Sequence, residues 1–413
     1  MRRQKRSRLG TVAVMTAVCL MMVLGFVAVA IDGGLLLDNE RRVQSAADMA
    51  AFSAAEDLYL NARVNKGLDV NGTAAAKALA VTTANGFPPP IVNIPPLSGP
   101  FMGKPGYVEV IVTTEQKRYF SRIWGTGDMP VSARAVAEGR WSPIKVGILV
   151  LDPTAHGSLT DNGGGLLSVL GVPTIVDSNA ADAVTTTGNG TISTSELDVT
   201  GVPGTSGSGN ILGPIYNGQD PMPDPLKYLP EPDPSTMVVQ SDKNVHASGS
   251  QTLNLQPGVY NGGITVSGQA SLNMAPGIYY MNGGGFSFTG QGSLNAQGVM
   301  IVNNPFSNSD VVNINGSGSV ILTPLTDGIY AGISIWQTRS STNTVYVAGN
   351  GGQTITGTFY VAGGTLNVTG NGANNVIGAQ YISDLLVLGG NGTVNVVWNA
   401  DQTPRQRILR LVE

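Results

Sequence analysis

The chain has 413 residues, a net charge of −4, 55 glycines and only 12% charged residues. An ordinary domain has about 7% glycine and about 25% charge, so composition points to a repetitive, weakly charged architecture with room for two or three domains. With no basic stripe beyond the first eight residues, nucleic acid is excluded as a partner, and one cysteine, Cys19, excludes both an internal disulfide and a Cys-based metal site.

Arg2, Arg3, Lys5, Arg6 and Arg8 precede an uncharged run, Thr11 to Ile31. About 20 apolar residues span a ~30 Å hydrocarbon core, so residues 11–31 are read as a transmembrane helix. The basic segment, residues 1–10, stays cytoplasmic by the positive-inside rule, which sends the rest outward. A cleaved signal peptide is the alternative, with Ala28-Val29-Ala30 as its processing site.

From Leu35 to about Arg63 the helical spacing continues. Leu36, Asn39, Val43, Ala46, Ala47, Ala50, Ala54 and Leu58 recur at intervals of three and four and line one face with alanine. A second, alanine-rich helix is expected over Ala74 to Ala84, ended by Asn85-Gly86. Pro88-Pro89-Pro90 and Pro95-Pro96 break regular structure. Strands follow at Tyr107 to Val112 and Met129 to Val136, with Phe120, Ile123 and Trp124 between them as core candidates.

These residues resemble a known family. Gly10, the apolar span, Asp32 at its outer end and Val43-Gln44-Ser45-Ala46-Ala47-Asp48-Met49-Ala50-Ala51 look like the N-terminal segment of TadG-like proteins of the Tad (Flp pilus-assembly) family. Asn85-Gly86-Phe87, Val108-Glu109-Val110 and Val131-Ser132-Ala133-Arg134-Ala135 extend the similarity, giving a Tad-like helix-plus-strand module over residues 32–140. The resemblance implies a role in assembling or anchoring pili, with pilus-assembly proteins as partners. Processed pilins carry Glu five residues after the cleaved Gly; Met15 holds that place here, so the anchor is expected to persist. Larger relatives add a metal-binding domain with Asp-x-Ser-x-Ser. Asp152-Pro153-Thr154-Ala155-His156 departs from that pattern, and no metal is assigned.

The second half repeats itself. Gly-x-Gly/Ala-Ser/Thr recurs at Gly188, Gly268, Gly290, Gly316 and Gly390, with a looser copy at Gly370-Asn371-Gly372-Ala373, and Pro257-Gly258-Val259-Tyr260 returns as Pro276-Gly277-Ile278-Tyr279. Such periods mark a solenoid whose short strands gain stability only by stacking. Between Asn244 and Ala400 the charged residues are Asp310, Asp327, Arg339 and Asp384, as expected where aligned like charges would repel along a stack. The fold class is therefore mainly β: a transmembrane helix and a small α+β pilin-like module followed by a parallel β-helix, right-handed by expectation. Its first coils are placed at residues 141–213 and its main body at 238–404. The Pro-rich stretch 214–237 is read as a loop from one coil or a linker between two solenoids, and 405–413 as a C-terminal cap. Leu253, Leu255, Val259, Leu272, Met274, Ile278, Leu294 and Val299 are expected to point into one shared interior.

No catalytic, cofactor-binding or metal residue is assigned. Asp310, Asp327 and Asp384 are the acids available for polysaccharide cleavage, which needs two carboxyl groups about 5–10 Å apart, and they do not cluster in sequence. Gly349-Asn350-Gly351-Gly352 lacks the Lys and helix of a phosphate loop. His156 and His246 are expected at the surface. The reading is a non-enzymatic, membrane-anchored protein of the bacterial cytoplasmic membrane, its bulk outside, acting in pilus assembly and adhesion. The alternative is a tethered protein that binds or degrades cell-surface polysaccharide.

Overall fold

The computed structural model describes residues 9–123, 125, 127–205, 208–350, 353–372 and 375–413. The basic segment before Leu9, the core candidate Trp124 and Gly351-Gly352 lie outside them, as does Ala373 of the looser repeat copy. Ile123 is described by its backbone alone. Two compact units emerge: residues up to Ser142 together with Arg407–Glu413, and Pro143–Gln406.

In the first unit a single helix, α1 (Leu9–Leu60), runs without a break from the apolar span through the alanine face. At 1.5 Å per residue it is about 78 Å long. Val43, Ala46, Ala47, Ala50, Ala51, Ala54, Ala55 and Leu58 are all buried. They pack on the second helix, Thr73–Ala84, and on a sheet of β1 (Ile91–Asn93), β2 (Tyr107–Gln116) and β3 (Met129–Pro143). Small side chains let backbone meet backbone: a Cβ on Gly139 of β3 would overlap the Ala55 carbonyl oxygen of α1. The strand at Arg405–Leu411, expected as a cap, instead pairs beside β3 as the fourth strand of this sheet. Its Arg407 guanidinium lies over the Tyr59 and Trp141 rings, 5.0 and 5.7 Å from their centroids. Phe120, expected in the core, is exposed.

Two buried carboxylates tie this sheet together. Glu109 accepts hydrogen bonds from Ser98 (2.5 Å), Asn93 (2.7 Å) and Arg134 (2.6 Å). Burial alone would raise its pKa, but these donors outweigh it and bring the carboxyl down to about 2. Glu138 accepts from Arg140 (2.5 Å), Arg410 (2.8 Å) and Tyr107 (2.9 Å), so against the opposing effect of burial its pKa is also lowered.

The second unit is a parallel β-solenoid of about 11 turns. Each turn contributes up to three short strands, and among the described residues every strand pairing within the unit is parallel. Three columns result. A representative turn places Gly277–Asn282 in the first, Phe286–Gly290 in the second and Leu294–Ala296 in the third. Inward residues alternate with outward ones, as the period of two requires. One interior row reads Ile264, Phe286, Val312, Val345, Leu366, Leu386, Leu159 and Val184 in register, every member fully buried. Asparagines stack at the outer edges: Asn273 donates to Asn254 at 2.9 Å, Asn282 to Asn261 at 2.8 Å and Asn371 to Asn350 at 3.0 Å.

The order of turns is permuted relative to the chain. Strand Ile148–Val150 lies on Gln380–Gly389, so the coils of 148–217 stack onto the last coils of the main body as one continuous pile. The chain therefore enters in the middle, at Ile144, and leaves beside that point: Ile144 N–H bonds Pro404 O at 3.3 Å, and Trp398 Nε1 bonds Ile144 O at 2.8 Å. It first builds outward to residue 217, then must reach the opposite end to start again at Val239.

Residues 218–238 make that journey as a strap. Eleven strands of the first column span about ten spacings of ~4.8 Å, or ~48 Å, well within the ~70 Å reach of about 21 extended residues. The segment is neither a loop thrown from one coil nor a linker between solenoids. Its six prolines suit a chain that crosses a sheet face without forming a strand of its own, turning at residues 225–228 and again in the 3-10 turn Pro234–Thr236. The first-column face beneath it is apolar on its outer side as well as its inner side. Val259, Tyr280, Met300, Val302, Trp336, Tyr360, Ile382 and Leu149 form a cluster there with Leu226 and Leu229 of the strap. Hence two members of the expected interior set are corrected: Val259 and Ile278 face the strap, while Leu272, Met274, Leu294 and Val299 point inward and Leu253 and Leu255 pack against them, partly buried.

Candidate functional site

The outer surface of the second column is a regular face of the solenoid. In register along it lie His246, Thr265, Ser287, Asn313, Tyr346, Asn367, Val387, Thr160 and Thr185. The strand Val345–Gly349 turns Val345 and Val347 inward, which leaves Tyr346 outward and 42% exposed. Asn313 and Asn367 flank it on the rungs to either side. Together with Asn315, Ala348 and Thr369 they border an open depression of about 210 Å³. The lining offers amide and hydroxyl groups and one phenol ring, with no charge. Such a surface can hydrogen-bond a hydroxyl-rich neutral ligand and stack against an apolar face of it.

The acids named from sequence fall elsewhere. Asp310 closes the loop after strand Val299–Asn304: its carboxylate accepts the Phe306 N–H (2.8 Å), the Ser307 N–H (3.1 Å) and the Ser307 hydroxyl (2.9 Å). Burial opposes them, yet these bonds hold its pKa below the ordinary value. Asp327 sits at a different corner, in the loop before strand Ile333–Gln337, and accepts from Thr326 at 3.0 Å. Asp384 lies further along the stack in strand Gln380–Gly389, where burial and then the neighbouring Asp152 push its carboxyl upward. The three acids are not brought together. Asp152, from a coil more than 200 residues away in sequence, is the neighbour that adjacency in sequence concealed.

Arg339, the sole guanidinium of the main coils, is a clasp for the strap. It stacks over Trp336 and Tyr360 at 4.9 and 5.3 Å, and donates to Leu226 O (2.9 Å), Leu229 O (3.0 Å) and the Tyr360 hydroxyl (2.7 Å). The Tyr360 hydroxyl passes its own proton donation to Asp224 at 2.7 Å, and Glu231 accepts the Arg339 N–H at 2.7 Å. Near the other end of the strap, the Met222 N–H donates to buried Asp177 at 2.9 Å, whose carboxyl is pushed by burial up to about 6. His156 is exposed and touches Asp182. Among the described residues no group of three or more His, Cys, Asp and Glu side chains is placed to hold a metal ion.

The membrane-directed end is equally plain. Among the described residues there is one helix long and apolar enough to cross a membrane, beginning at Val12 near the N-terminus. Asp32, directly after the apolar run, accepts the N–H groups of Phe120 (3.2 Å) and Ser121 (2.7 Å). The hydrogen bonds from Ser121 hold its carboxyl below the usual range.

Comparison with known proteins agrees with this division. No curated protein and no solved structure matches the chain significantly. Residues 10–57, the stretch that forms the apolar span and most of the alanine face, match the Tad family model, described as "Putative Flp pilus-assembly TadE/G-like".

Proposed function

We propose that this protein is held in the bacterial cytoplasmic membrane by residues 11–31, with its N-terminus inside, and that it presents the solenoid outside that membrane to assemble or anchor Flp-type pili. The observation that carries the reading is the coincidence of the Tad match, residues 10–57, with a continuous helix that is apolar through its first part and alanine-faced through its second. The solenoid works by contact, with pilus-assembly proteins or the attachment surface as partners, and performs no hydrolysis or elimination. Support comes from the scarcity and separation of its acids. Loss of the chain should reduce pilus-dependent attachment, and external protease on spheroplasts should remove the solenoid but spare an N-terminal tag. A protected solenoid, or normal piliation without the chain, would overturn the assignment.

A second reading is favoured by the Tyr346 face: binding of a neutral cell-surface polysaccharide. Tyr346→Ala should weaken retention on immobilised neutral glycan while leaving the melting temperature unchanged. Equal retention of the variant would remove this reading.

A further inference from the structure

The β2–β3 connection carries Lys117-Arg118-Tyr119-Phe120-Ser121-Arg122, three cations and two large aromatics in six residues. Tyr119 is 61% exposed and Phe120 48% exposed, although the surrounding sheet has a well-filled core. Lys117 and Arg122 are exposed, and the buried Nε of Arg118 has no hydrogen-bond partner. Among the described residues none of the three cations forms an ion pair. The nearest acids in sequence, Glu115 and Asp128, flank the segment on its strand sides. Asp32 is already occupied by the loop's own N–H groups.

Those two hydrogen bonds fix the height of the loop along α1. Asp32 follows the last residue of the apolar run, so the loop is held where a spanning helix leaves the hydrocarbon. Ala28, one turn earlier, is 4% exposed while Val27 and Val29 are open, so the covered side of the helix reaches about 6 Å further into the apolar run. Aromatic rings and basic side chains at that level match the two components of a bilayer surface: Tyr and Phe in the boundary between headgroup and acyl chain, Lys and Arg against phosphate.

We infer that residues 117–122 form a second membrane contact, which seats on the outer surface of the bilayer and binds anionic phospholipid headgroups. The contact turns a single helix, free to tilt and rotate, into a two-point attachment that sets the orientation of the module. The inference rests on residues 11–31 being a membrane span.

Depth measurements by spin labelling separate the two ideas. In the full chain with Cys19→Ala, nitroxides are attached at Leu20→Cys, Tyr119→Cys and Lys104→Cys, and the protein is reconstituted into bilayers of phosphatidylcholine with or without phosphatidylglycerol. Accessibility to oxygen and to a water-soluble nickel chelate is then read at each site. Position 20 should be open to oxygen only and position 104 to nickel. Position 119 should show a loss of nickel accessibility that is greater when phosphatidylglycerol is present. The triple variant Lys117→Gln, Arg118→Gln, Arg122→Gln should abolish the dependence on phosphatidylglycerol. If position 20 is buried but 119 is as open to nickel as 104, the second contact is refuted and the span stands. If 20 is itself open to nickel, both fail. Burial of 119 that is indifferent to phosphatidylglycerol would refute headgroup recognition.

Discussion

Arg339 shows how much a lone charge can mean in a chain that avoids charge. Aligned like charges repel along a stack, and the one arginine among residues 244–400 is engaged on several sides. Its two ring contacts and its bonds to Leu226, Leu229 and Tyr360 hold the strap over an apolar face. Arg339→Ala should cost roughly 2–4 kcal/mol, since it removes charge-assisted hydrogen bonds and ring stacking together. Limited proteolysis should then cut within residues 218–238 sooner than in the parent protein, and an unchanged cleavage rate would contradict the clasp. Asp177 acts in the opposite sense. Its folded pKa, about 6, lies above the ordinary 3.8, so its contribution is most favourable in acid and is lost as pH rises through about 6. Asp177→Asn should raise the melting temperature at pH 7.5 and flatten the pH dependence between 7 and 4, as followed by calorimetry.

The elements divide into those whose signal is local and those whose signal is not. The alanine spacing of α1 and the alternation of the short strands are properties of neighbouring residues, and both were legible in the sequence. So was the inward place of Leu272, fully buried between Leu253 and Leu294 in the third column. Leu272→Asp should bury an unpaired charge at a cost of several kcal/mol and expose adjacent coils to protease. Val259 and Ile278 were misplaced because alternation tells inside from outside only when the outer face is polar. In the first column both faces are covered, and runs such as Val299-Met300-Ile301-Val302 report it. Gly139 is a comparable lesson in the first unit. Its meaning lies in the approach of the Ala55 carbonyl from a helix more than 80 residues earlier. Gly139→Val should cost roughly 2–4 kcal/mol through overpacking. Calorimetry should show the loss in the N-terminal transition. That transition should also weaken as pH falls from about 4.5 toward about 2, because the unfolded chain takes up a proton that Glu109 refuses until about 2.

For the whole molecule, the decisive fact is topological. Ser142 and Arg407 are the last and first residues of two segments that belong to one unit, and everything between them forms another. The solenoid is an insertion between two neighbouring strands of the anchored module. Parallel pairing between residues as distant as Ile148 and Tyr381 leaves no local trace, which is why the closing strand read as a cap and the strap as a loop. The Tyr346 face was hidden for the same reason: its Asn313 and Asn367 neighbours come from adjacent turns rather than adjacent residues.

An insertion can be excised without cutting the module that hosts it, and this gives the most direct test of the account. Residues 143–406 are replaced by a short Gly/Ser linker, and both membrane retention after carbonate washing and pilus-dependent attachment are measured in cells. Full retention together with loss of attachment is the predicted result. Attachment at the parental level without the solenoid, or release of the excised protein from the membrane, would contradict the claim that an independently folded anchor holds a contact-making solenoid outside the cell membrane.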